Sequence, residues 1–187
     1  MASLLDGLMQ QLGGDTMRQL STQLGADPAT TQKAVSAALP TLLGALAKNA
    51  QSPEGAAALA GAIDRDHDGS ALQNIAATLG GGGGAGILKH VLGGRQEAVQ
   101  QGVGAAAGLS GPQAGQLLAM LAPIVMGALG SAKRSGGLDA GGLAAMLGQE
   151  RASMGGGPGG LLQLLDRDGD GSVMDDLGGM LGKMMGR

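Results

Sequence analysis

No position in this 187-residue chain holds Phe, Tyr or Trp, and 39 positions hold Gly. Aromatic side chains normally supply much of the buried area of a core. Here the interior has to be assembled from Leu, Ala, Val, Ile and Met, which fill space only when their backbones come close together. That requirement favours tightly packed helices. Apolar residues recur at helical spacing almost throughout, as in Leu5, Leu8, Met9 and Leu12, then Met17, Leu20 and Leu24. The expected fold class is all-α.

Boundary residues agree with this reading. Asp15, Asp27 before Pro28, Ser52 before Pro53, Ser110 before Pro112, and Asp139 are suited to N-caps or first turns, while Gly13-Gly14, Gly25, Gly93-Gly94 and Gly108 are suited to helix ends. Pro40 and Pro123 sit inside long apolar patterns, where each removes a backbone donor, so both helices are expected to kink or split.

The chain also repeats itself. Gly25 to Leu46 overlays Gly108 to Leu129 at a constant offset, matching Pro40 with Pro123, Gly44 with Gly127, and Ala45-Leu46 with Ala128-Leu129. Two internally repeated helical halves are expected: residues 1–80, a Gly-rich seam at 81–86, and residues 87–187. The second half carries a Gly-rich insert at 134–160, whose Ser135-Gly-Gly137 and Gly155 to Gly160 segments read as flexible linker.

Each half contains one Asp-Arg-Asp-x-Asp-Gly-Ser heptad, at Asp64 to Ser70 and at Asp166 to Ser172, and together they hold six of the twelve Asp residues. Spacing of this kind lets one tight turn present three carboxylates and a backbone carbonyl to a cation, as EF-hand loops do for Ca²⁺. The ligands expected for the first loop (64–75) are Asp64, Asp66, Asp68 and Ser70, with Asn74 as a weak supplement. Those for the second loop (166–177) are Asp166, Asp168, Asp170 and Ser172, with Asp176 closing the site.

Both loops lack the bidentate acid of an EF-hand, since Ile75 and Leu177 occupy the twelfth position. Dissociation constants of about 10⁻⁴ to 10⁻³ M follow for the first loop, with tighter binding at the second. The competing reading is a pair of solvated turns in which Asp caps local backbone. If both loops fill with Ca²⁺, the formal charge of −3 becomes +1.

Other function classes find little footing. Cysteine is absent, which removes disulfides and thiolate chemistry. The 12 Lys and Arg are scattered, with no aromatic to stack on a base, so nucleic acid is not an expected partner. Gly80 to Gly84 has no Gly-Lys-Ser/Thr after it, and Ser110 lacks the pattern of an activated nucleophile. His67 and His90 have no metal partner by spacing and read as surface residues.

An enzyme is therefore not expected. The apolar runs Ala34 to Ala47 and Leu117 to Gly130 are shorter than a membrane span and read as buried core helices. The start of the chain lacks the pattern of a secretory signal, and a cytoplasmic location is expected, with non-classical export as the alternative.

The segments Leu4-Leu-Asp-Gly-Leu-Met9, Ala37-Ala-Leu-Pro-Thr-Leu-Leu-Gly-Ala-Leu46, Asn49 to Ala58 and Asp64 to Ser70 resemble the YidB-like bacterial proteins of unknown function. That resemblance implies a bacterial helical protein and brings no activity with it. The residues themselves point to a non-enzymatic, calcium-binding helical protein with a structural or self-associating role. The alternative is a calcium-responsive module that exposes its Leu- and Met-rich helices to a protein or membrane partner.

Overall fold

A computed structural model of the protein describes residues 3–66 and 83–155, and all regular structure among them is helical. Helices α1 (Leu4–Gln11), α2 (Asp15–Leu24), α3 (Pro28–Asn49) and α4 (Pro53–Asp66) come first. Helix α5 (Gly84–Leu92) leads through a 3-10 turn (Gly93–Arg95) into α6 (Gln96–Ala107), followed by α7 (Gly111–Gly136) and α8 (Ala140–Gly155). The described residues up to Glu150 belong to one compact unit.

Polar side chains set the helix starts. Ser3 and Ser110 each form a capping box, with Asp6 and Gln113 reaching back to the cap backbone. Ser52 Oγ accepts from Gly55 N at 3.0 Å, and Asp139 Oδ1 accepts from Gly142 N at 2.7 Å. Helix α2 instead follows Gly14, which has no capping side chain, and carries Asp15 in its first turn. Gly25 and Gly108 end α2 and α6 in the left-handed conformation, with φ of 62° and 77°, where a side chain would be strained.

At the start of α3, Asp27 Oδ1 accepts from Ala29 N and Thr30 N, both at 3.0 Å. Hydrogen bonds from the Thr30 hydroxyl, then from the backbone, hold the Asp27 carboxyl below its ordinary range. A carboxyl depressed on folding contributes stability above its unfolded pKa, and that contribution is lost as pH falls through the folded value. The urea midpoint of the wild type is therefore expected to drop more between pH 7 and pH 3 than that of Asp27→Asn, which keeps the cap but does not titrate. Equal drops would remove Asp27 from the acid response.

The core is built around α3 and α7. Helix α7 packs against α3, α5 and α6, with smaller contacts to α1, α2 and α4, and α3 packs against α2, α5 and α6. Leu39, Leu42 and Leu43 of α3 and Leu117, Leu118, Leu121 and Ile124 of α7 are fully buried. Helix α7 has the length and hydropathy of a membrane-crossing segment, yet 72% of its most apolar stretch is buried inside the protein. It is a core helix, as its sequence suggests.

Side chains also tie separate helices together through free carbonyls at helix ends. Gln113 Nε2 donates to Leu24 O at 3.0 Å, Gln116 Nε2 to Gln23 O at 3.2 Å, and Asn49 Nδ2 to Val91 O at 3.0 Å. Two buried hydroxyls are satisfied within their own helices, Ser21 by Met17 O and Thr31 by Asp27 O.

Neither long helix is split at its proline: α3 runs through Pro40 and α7 through Pro123. Tertiary packing along both flanks outweighs the loss of one hydrogen bond in each. The consequence in α7 is local, because Pro123 has no N–H to offer the carbonyl of Ala119, four residues earlier. Gly84, the buried first residue of α5, lies against that same oxygen, so closely that a Cβ at position 84 would overlap it. The glycine backbone thus covers a carbonyl that the proline has left without its usual donor, in a Cα–H···O contact.

The Gly-rich segments depart from the linker reading where they are described. Gly84 and Gly86 belong to α5 rather than to a seam between halves. Ser135 and Gly136 complete α7, Gly137 is its left-handed cap, and α8 takes up residues 140–155 of the expected insert. A cap at Asp139 and apolar anchors at Leu143 and Leu147, both fully buried, are enough to hold that Gly- and Ala-rich stretch as a helix.

Candidate functional site

Of the expected ligands in the first loop, Asp64 and Asp66 are described, and their backbone forms the last turn of α4. The Asp64 side chain is 58% exposed, and its Oδ1 accepts from Lys133 Nζ of α7 at 2.6 Å. The Lys133 side chain is only 16% exposed, with its stem laid along the protein and its ammonium held at Asp64. Positions 64 and 66 of a helix lie about 200° apart around its axis.

Asp68, Ser70 and Asn74, and the second-loop residues Asp166, Asp168, Asp170, Ser172 and Asp176, lie outside the described residues. Among the described residues, no group of three His, Cys, Asp or Glu is placed to hold a metal.

The described residues also form a groove of about 940 Å³ between α4 and α5, lined as well by residues near the C-terminus of α3 and by Arg95 of the 3-10 turn. Its floor is apolar, with Leu59, Ile87, Val91 and Met126. Its rim carries Lys48, Arg65, His90 and Arg95, all exposed, and no Asp or Glu is among the described residues that line it. The Arg65 guanidinium folds back one turn along α4, so that a Cβ at Gly61 would lie 3.9 Å from its Nη1.

The order of residues in the chain does not reveal this groove, because its four basic groups come from four separate stretches and each looks like an isolated surface residue. His90, which by spacing is a lone surface histidine, is one of them. The periodicity of α4 and α5 marks an apolar face on each but does not say which Lys and Arg will gather beside them.

A family profile described as a bacterial protein of unknown function, DUF937, matches residues 6–132. The match takes in the first Asp heptad and every residue of the groove, and it ends before Lys133 and the second heptad. No curated protein and no solved structure matches the chain. The profile covers well over half of the sequence and accords with the YidB-like resemblance of the Ala-Leu-Pro helix, so the chain belongs to this bacterial family, DUF937.

Proposed function

We propose that the protein is a non-enzymatic, calcium-binding helical protein in which two related halves each carry one Asp-rich loop, and that calcium serves a structural or self-associating role. The observation that carries this reading is the duplicated Asp-Arg-Asp-x-Asp-Gly-Ser heptad, each copy concentrating three carboxylates in seven residues. The relation between the halves is supported by Gly25 and Gly108, equivalent in sequence and both left-handed caps. Each is followed by an N-cap, Asp27 or Ser110, and then by a long helix that runs through a proline.

Lys133 gives the first site a resident cation. Calcium arriving at Asp64 has to displace or share with that ammonium and unwind the last turn of α4, and both requirements weaken the site. In return, an ion there fixes the end of α4 beside α7.

Titration calorimetry with Ca²⁺, with Mg²⁺ as control, tests the reading. Two sites are expected in the wild type and one in the Asp166→Ala/Asp168→Ala variant. Lys133→Gln is expected to tighten the first site about fivefold, equivalent to roughly 1 kcal/mol for a partly exposed ion pair, without changing the second. At ten times the dissociation constant, each ion raises the melting temperature by about 3 to 6 °C. Absence of heat at millimolar Ca²⁺ would refute calcium binding, and calcium-dependent dye binding without a rise in melting temperature would replace the structural role with a responsive one.

A further inference from the structure

We infer that the groove between α4 and α5 binds an anionic amphiphile, an apolar chain of fatty-acyl type ending in a carboxylate or phosphate. Its size falls within the range of small-molecule sites, about 300 to 1,000 Å³, and its make-up of apolar floor and few polar groups is that of such sites. The charge on it is one-sided. Lys48, Arg65, His90 and Arg95 stand on the rim, with no acid among the described lining residues, in a chain whose formal net charge is −3.

Asp64, next to Arg65, does not neutralise this rim, since it pairs with Lys133. Guanidinium groups suit the ligand on geometric grounds, because their planar fork pairs two oxygens of a carboxylate or phosphate at once. The apolar floor is made by Ile87 and Met126 among others, and Met adapts to flexible chains. Among the described lining residues a free metal ion or a cationic ligand finds no favourable partner. A soluble anion without a chain would leave the floor in water.

The test is titration calorimetry of the full-length protein with alkyl carboxylates and alkyl phosphates of increasing length, below their micellar concentrations, with decyltrimethylammonium and decanol as controls. Saturable binding of the anions is expected, tightening about fourfold per added methylene until the groove is full. The trimethylammonium should not bind, and decanol should bind more weakly than decanoate. Comparing decanoate with decyl phosphate then identifies the head group.

Arg65→Gln with Arg95→Gln is expected to weaken binding about tenfold or more. Ala58→Glu, at an exposed lining position on α4, should abolish it, with circular dichroism showing that the helices remain. Anion binding that ignores chain length, or survives both variants unchanged, would overturn the assignment. So would a wild type that does not bind beside a variant with residues 67–82 replaced by a Gly-Ser linker that does, because the groove would then belong to the chain's own residues.

Discussion

Gly84→Ala is expected to lose about 3 kcal/mol of folding stability, seen as a fall of roughly 6 to 12 °C in melting temperature. An alanine methyl at this position would overlap the Ala119 carbonyl oxygen, which belongs to the backbone of a buried helix and has no rotamer to yield. Either α5 moves off α7, opening the packing around Leu88, Val91 and Leu92, or α7 bends away at the residue where Pro123 has already removed a hydrogen bond.

The internal control is two residues along. Gly86 is in the same helix, and a methyl group added there would meet nothing within 4 Å, so Gly86→Ala should be neutral or stabilising by up to about 1 kcal/mol through helix propensity. Urea melts of the two variants, differing in sign, check the contact directly. If Gly84→Ala unfolds at the wild-type midpoint, the close approach of α5 to Ala119 is wrong.

Leu121→Ala should be comparably damaging, at about 2 to 5 kcal/mol. Leu121 is fully buried at the middle of α7, the helix that touches most of the others. With no Phe, Tyr or Trp in the chain, leucine and methionine are among the largest side chains the core has, and no bulky neighbour can swing over to fill the space. Leu121→Met keeps the volume and should cost under about 1.5 kcal/mol. A half-exposed leucine such as Leu5 gives a further reference, with a smaller loss expected on truncation. Similar midpoints for Leu121→Ala and Leu5→Ala would show that α7 does not hold the centre of the fold.

Much of the helical layout is legible in the sequence because caps and stops act locally. Asp27, Ser52, Ser110 and Asp139 cap the helices expected of them, and Gly25, Gly93 and Gly108 end the preceding ones. Continuity through Pro40 and Pro123 is not legible, since it depends on packing contributed by helices far away in the chain. Neither is the helix at 140–155, where glycine content points to a linker and two buried leucines decide otherwise.

For the candidate site, the spacing of the expected ligands Asp64 and Asp66 can be read from the chain, but the partner of Asp64 cannot. Lys133 is 69 residues away in sequence and reaches Asp64 only because α4 and α7 are neighbours. The basic rim of the groove is of the same kind. Lys48, Arg65, His90 and Arg95 are separated by intervals that carry no periodic signal, and the turn between α5 and α6 is what brings Arg95 to the groove.

An interior of interchangeable aliphatic side chains is prone to settle in several arrangements of similar energy, since such residues specify shape weakly. The meeting of Gly84 with the Ala119 carbonyl counters that tendency without any large side chain. A screw shift of α5 that brought Ala85 to the place of Gly84 would drive the alanine methyl into the oxygen, so that alignment of the two helices is sterically closed. The proline and the glycine act together as a registration notch, which narrows the packings open to a chain without aromatic residues.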